Sequence, residues 1–142
     1  MPEFLHRMQQ VLKQEHVTAS LFGHAGHGQL HIRPFLDVGN QDDVNKMTVL
    51  ADRLYAEVWN LGGTISGEHG DGRVRAEFIE LMIGSENYEL LKRVKKTFDP
   101  NNIFNPGKIV DSAPMDTSLR YQPDRKEPKV ETLLDFSDSK FG

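Results

Sequence analysis

His24 and His31 stand seven residues apart in the glycine-studded stretch Phe22-Gly23-His24-Ala25-Gly26-His27-Gly28-Gln29-Leu30-His31. That odd spacing constrains the fold more than any other feature. On one regular strand, residues an odd number apart point to opposite faces. If both imidazoles serve one site, the chain must reverse between them, and a turn or bulge at Gly26 and Gly28 is expected because glycine accepts positive φ without a Cβ clash. Leu30-His31-Ile32-Arg33-Pro34 then alternates with period two, as a half-buried strand does, and Pro34 marks an edge or an end. His31 and Arg33 share a face of that strand.

The flanking segments read as helices. Phe4, Met8, Val11 and Leu12 recur at helical spacing and predict an amphipathic helix over residues 3–16. Asp42 and Asp43 suit a helix start, after which Met47, Leu50, Leu54, Val58 and Leu61 recur at steps of three and four until Gly62-Gly63 supplies the stop. Thr64-Ile65-Ser66 is expected to be extended and to deliver Gly67-Glu68-His69-Gly70-Asp71-Gly72, whose glycines permit tight turns and close approach of a ligand. Ser85 is placed to cap a further helix with Leu91, Val94 and Phe98 as its apolar stripe, cationic residues near its C-terminal end, and Asp99-Pro100 as its terminator. The turn-rich run from Asn101 to Val110 carries isolated apolar anchors. From Asp111 onward, prolines and scattered charges predict an extended arm with little core of its own.

Composition narrows the chemistry. With 17 basic against 21 acidic residues the formal charge is −4, so no phosphate-binding stripe is expected and nucleic acid is not the partner. Cysteine is absent, which leaves His, Asp and Glu as the metal ligands this chain can offer. No apolar run approaches the length of a membrane span, and the start lacks the pattern of a signal peptide. A soluble cytoplasmic protein is expected.

Isolated histidines are ordinarily surface or hydrogen-bonded residues, but three within eight residues among glycines are not ordinary. His24 and His31 are read as ligands of one divalent ion, with His27 in the turn between them. Imidazoles with a carboxylate form a ligand set that zinc accepts while leaving a position open for substrate or water. Glu68 and His69 are neighbours that would diverge on an extended chain, which suggests one ligand and one base. Arg33 beside His31 offers a planar fork for a carboxylate, so the pair is suited to a 2-hydroxy or 2-oxo acid held at both ends. Arg73 and Arg75 either steer an acidic substrate or face water, and Asp71 reads as a turn residue.

Three segments in order, Gly23 to His31, Ser66-Gly67-Glu68-His69-Gly70, and Phe98-Asp99-Pro100-Asn101-Asn102-Ile103-Phe104-Asn105-Pro106-Gly107-Lys108-Ile109-Val110, resemble the C-terminal part of the FAD-linked oxidases. That family includes D-lactate dehydrogenase, glycolate oxidase and D-2-hydroxyglutarate dehydrogenase. The resemblance implies an α+β fold: residues 1–110 as the last portion of a ferredoxin-like cap domain, with antiparallel sheet, flanking helices and a segment returning to the flavin domain, and residues 111–142 as a linker or tail. It implies His24, His31 and Glu68 as metal ligands and His69 as the group acting on the substrate hydroxyl; beside these, Arg33 and Arg73 are expected toward substrate, and Asn105 and Lys108 toward the cofactor. FAD would be bound mainly by an N-terminal domain outside this chain, and the metal would be zinc, with manganese or iron as alternatives. Members of the family commonly carry Asp at the position of His27, Asn at that of Gln29 and an uncharged residue at that of Arg33. Leu119-Arg120-Tyr121-Gln122-Pro123-Asp124 resembles a branch of large bacterial fusions in which an iron–sulfur half follows the flavin half.

The function expected is therefore the substrate- and metal-binding portion of an FAD-dependent dehydrogenase that oxidises a small D-2-hydroxy acid, inactive alone. The alternatives are a free-standing His2Glu metallohydrolase, with His69 as base toward water, and a noncatalytic interaction domain stabilised by a closed metal shell that recruits His27.

Overall fold

Pro2 has no backbone N–H to leave unpaired, so it suits the first position of helix α1 (Pro2–Gln14), which opens the chain. In this computed structural model the structure describes residues 1–121 together with residues 123, 126 and 133. His16, at φ 54°, turns the chain out of α1 two residues earlier than the sequence predicts. Strands β1 (Ala19–His24) and β2 (Gln29–Pro34) follow as an antiparallel hairpin, joined through a single 3-10 turn at Ala25–His27. Gly28 closes that turn in the left-handed region at φ 66°, where a Cβ would be strained.

Asn40 caps helix α2 (Gln41–Asn60) by accepting the Asp42 N–H at 2.9 Å, while Asp42 and Asp43 lie in its first turn, where the helix dipole favours negative charge. The helix stops as its glycines predict. Gly62, at φ 70°, donates to the Trp59 carbonyl and Gly63 to the Val58 carbonyl, the paired bonds of a left-handed helix terminator.

One core lies between helices and hairpin. Met8, Val11 and Leu12 of α1 meet Leu50 and Leu54 of α2, and Ala19 and Ile32 pack against them from the sheet. Ala19, Leu21, Leu30, Ile32 and Pro34 therefore belong to the covered face of the hairpin, and Ser20, Phe22, His24, Gln29, His31 and Arg33 to the opposite one. A second cluster joins Ala51 of α2 to Ile65 and Phe78, with Tyr55, Trp59 and Met115 against it. Thr64-Ile65-Ser66 joins no sheet among the described residues; the buried Ile65 anchors it instead.

A 3-10 turn at Ala76–Phe78 leads into the short helix α3 (Ile79–Ile83) and then α4 (Ser85–Phe98). Gly84, not Ser85, occupies the capping position of α4, and the Ser85 hydroxyl donates to the Glu80 carboxylate at 2.8 Å. The apolar stripe also differs from expectation. Tyr88 is buried against Ala76, Ile79 and Val110, and Leu91 packs on the same cluster, but Val94 is 56% exposed and Phe98 81%. The physical reason is length: five-residue α3 covers only the first half of α4.

Beyond α4 the chain stays attached to the body. The Asp111 N–H donates to the Tyr88 hydroxyl, the Met115 N–H to Glu77, and the Ser118 carbonyl accepts from Arg73. The linker expected over 111–142 thus begins with residues tied to α4 and to the segment before α3, while most of it, from residue 122 on, lies outside the described residues. Four helices around a two-stranded antiparallel sheet make the described fold α+β, consistent with part of a ferredoxin-like cap.

Asp99 secures the turn after α4. Its buried carboxylate binds the Lys95 ammonium at 2.6 Å and accepts the N–H groups of Ile103 and Phe104, each at 2.9 Å. The Lys95 hydrogen bond, assisted by those two N–H groups and opposed by burial, holds the Asp99 pKa below its ordinary value of 3.8. A depressed folded-state pKa contributes stability that is complete above the ordinary value and is lost as pH falls through the depressed one. Asp99→Asn is expected to unfold more readily than the wild type at pH 6, and the gap is expected to narrow steadily below pH 4. Urea midpoints of both proteins across that range check it.

Candidate metal centre

The hairpin register resolves the parity of the two histidines. His24 pairs with Gln29 and Phe22 with His31, so His24 and His31 lie diagonally across the pair on the same uncovered face. Their rings approach edge to face, with centroids 5.8 Å apart. The turn that the sequence demands between them is present, but only Gly28 of its two glycines takes a positive φ.

Glu68 comes to this face from the loop after α2. Its Oε1 lies 3.1 Å from His31 Nε2 and its Oε2 3.5 Å from His24 Nε2. One donor atom from each of the three residues falls within 4.8 Å of the others. Tetrahedral zinc with bonds of about 2.0–2.1 Å places its donors about 3.3 Å apart, so the set has the spacing and the chemistry to hold such an ion. His31 is the shielded member, with its side chain 18% exposed; those of His24 and Glu68 are 57% and 42% exposed. One side of the cluster faces outward, where a substrate atom can enter.

His69 does not diverge from Glu68 as an extended chain would require. The loop bends through Gly67, Glu68 and His69, so both side chains reach the same side, with His69 Nε2 3.3 Å from Glu68 Oε1. Its ring stands 5.4 Å from that of His31, centroid to centroid. His69 lies beside the three-residue cluster and is not one of its members; neither His27 nor Asp71 belongs to it among the described residues.

Three contacts seat the loop. Ile65 is its buried anchor, and Arg75 Nη1 donates to the Gly70 carbonyl at 2.9 Å. Gly67 lies flat against Gln29, so a Cβ on Gly67 would stand 2.7 Å from Gln29 Nε2 and 3.2 Å from its Cδ. Sequence reasoning missed Gln29 and Arg75 as supports of the site. A glycine directly before Glu68-His69 was the one available signal, and it does not name its partner.

The remaining site candidates are spread over the molecule. Arg33 shares the face of His31, with its guanidinium 5.5 Å from the centroid of the Phe22 ring. Arg73 Nη2 donates to the Ser118 carbonyl at 3.0 Å and lines a small recess with Gly107, Lys108, Pro114 and Met115. Asn105, at φ 47°, is exposed in the turn that leads to Lys108.

Comparison with known proteins gives consistent matches. Residues 1–109 match the family described as FAD linked oxidases, C-terminal domain. The chain is 38% identical over 93 residues to the glycolate oxidase subunit GlcD of Bacillus subtilis (strain 168), covering 66% of this chain and 20% of that protein. It is 36% identical over 108 residues to a D-lactate dehydrogenase of Anaerostipes hadrus, covering 75% and 23% respectively. With the D-2-hydroxyglutarate dehydrogenase of Escherichia coli (strain K12) the identity is 33% over 117 residues, 82% of this chain and 11% of that protein. The chain therefore spans about a tenth to a quarter of the length of these relatives.

Calorimetric titration with zinc is expected to show one equivalent per chain. His24→Ala, His31→Ala and Glu68→Gln should each weaken binding by about a hundredfold or more, while His69→Ala keeps the stoichiometry. Gly67→Ala should weaken zinc binding by no more than about tenfold, because the added methyl group displaces the Gln29 side-chain amide that packs on the Glu68 loop. Unchanged affinity in the last variant would remove the Gln29 contact as a support of the site.

Proposed function

The chain belongs to the family of FAD linked oxidases, C-terminal domain, and on that premise we propose that it is the substrate- and metal-binding portion of a flavoprotein dehydrogenase that converts a D-2-hydroxy acid to the 2-oxo acid. The observation that carries this reading is the convergence of His24, His31 and Glu68 on the open face of the hairpin, with His69 adjacent. Glycolate, D-lactate and D-2-hydroxyglutarate, the compounds in the relatives' names, define the substrate class.

His24, His31 and Glu68 would hold the divalent ion, zinc first and manganese or iron as alternatives, which supplies Lewis acidity toward the substrate hydroxyl, while FAD, held mainly by an N-terminal domain, supplies the hydride acceptor. Within this chain, His69 Nε2 takes the hydroxyl proton as the substrate carbon gives up its hydride, so the C–OH group becomes C=O. Glu68 Oε1, 3.3 Å from that nitrogen, steadies the imidazolium that results. Arg33 pairs with the substrate carboxylate from the same face. Arg73 and Lys108 place two cations around one recess, a second position from which an acidic substrate or the cofactor is held, and Asn105 accompanies Lys108 toward the flavin.

A domain partner is supported by the apolar surface that α4 leaves open. Leu90, Val94 and Phe98 follow one another at helical spacing, and Ile103 and Phe104 follow just beyond the helix, with Phe98 81% and Phe104 70% exposed. Several large apolar side chains exposed along one short stretch of chain suit a covering partner, and the flavin-binding domain is the occupant proposed here. A downstream iron–sulfur domain as electron acceptor rests only on the wording of residues 119–124. No described helix is long and apolar enough to cross a membrane, which accords with the proposed cytoplasmic setting.

The decisive comparison uses the complete flavin-containing enzyme. His69→Ala is expected to keep both flavin and metal yet lose turnover of D-2-hydroxy acids by about 10²–10⁴-fold. Single-turnover flavin bleaching with D-lactate, glycolate and D-2-hydroxyglutarate measures this and ranks the substrates. Bleaching at the wild-type rate would eliminate His69 as the base.

A further inference from the structure

We propose that Phe22 is a positioning residue for this face: its ring orients the His31 imidazole toward Glu68 and holds the Arg33 guanidinium beside the same site. The inference rests on the metal-binding reading of His24, His31 and Glu68.

Phe22 is the direct cross-strand partner of His31, and the two rings stack with centroids 4.8 Å apart and planes 18° from parallel. On a metal-binding histidine, the second ring nitrogen is usually hydrogen-bonded to a carboxylate, carbonyl or water, and that bond sets the plane of the ring. His31 makes no such hydrogen bond to protein among the described residues; its recorded polar contact is through Nε2, to Glu68. The Phe22 stack constrains the plane of the same ring. With one face against Phe22 and neighbouring rings from His24 and His69 approaching at 80° and 68°, the imidazole has little freedom to turn its Nε2 away from the cluster.

Phe22 has no other evident purpose. It is 50% exposed and belongs to none of the three apolar clusters, since its strand turns Ala19 toward the core and Phe22 away from it. On that open face its ring nevertheless has definite neighbours. What it packs against are His31 and Arg33, whose guanidinium lies over the ring at 5.5 Å. The same phenyl group thus braces a metal ligand and a cation, which are two residues apart on β2.

Cobalt(II) titration of the chain, followed by visible absorption, separates this role from simple structural support. Phe22→Leu keeps apolar bulk but removes the stack; it is expected to weaken cobalt binding about three- to tenfold, to alter the intensity of the cobalt bands, and to leave the melting temperature of the metal-free protein unchanged. Phe22→Tyr restores the ring and is expected to bind within about twofold of the wild type. A leucine variant with wild-type affinity and spectrum overturns the inference and leaves the metal site standing. A tyrosine variant as weak as leucine, or a metal-free leucine variant that no longer folds, overturns it as well. A wild-type chain that binds no cobalt overturns the metal reading itself, and the inference with it.

Discussion

The structure depends on the antiparallel register of one short hairpin. Pairing Phe22 with His31 and His24 with Gln29 fixes two faces at once. Ala19 and Ile32 go to the helices, and the residues between them go to the open side. A slip of one residue would exchange the faces, burying imidazoles under α1 and α2 and exposing the core. The apolar packing that stabilises the domain is thus also what aims the histidines outward. Gly23 protects this arrangement, because a Cβ there would overlap the Gln29 carbonyl across the pair.

The loop carrying Glu68 and His69 obeys a different logic. It lies outside the sheet, and its glycines would let it wander. Three side chains restrain it from three directions: Ile65 from the core, Gln29 from the hairpin, and Arg75 from the segment before α3. Preorganisation of this kind matters for a metal centre, since ligands already close together need less ordering when the ion arrives. Among the described residues Glu68 bridges His24 and His31, so the position of this loop decides whether the three donors come together.

The C-terminal third shows how a nearly core-free sequence stays attached. Val110 fills the cluster around Tyr88, Met115 reaches the cluster around Phe78, and backbone groups of Asp111, Met115 and Ser118 bond to side chains of Tyr88, Glu77 and Arg73. Asp99 starts this path by satisfying two N–H groups and one ammonium in a buried position. Leu90, Val94, Phe98, Ile103 and Phe104 are left exposed.

The sequence by itself determined helices α1, α2 and α4, the chain reversal between His24 and His31, and a candidate set of ligands, but not α3. Periodicity located α1 and α2 within two or three residues, glycine placement located the stops and the turn, and the types and spacing of His24, His31 and Glu68 marked them as candidate ligands. These are local properties, decided by backbone preference and by which side chains can donate. Only the tertiary structure decided that Glu68 and His69 point the same way, that Gln29 and Arg75 seat their loop, that Phe22 stacks on His31, and that Val94 and Phe98 stay uncovered on α4. Each of those depends on contacts between segments far apart in the chain, or on the length of a neighbouring element. The spacing of residues along one segment carries no record of either.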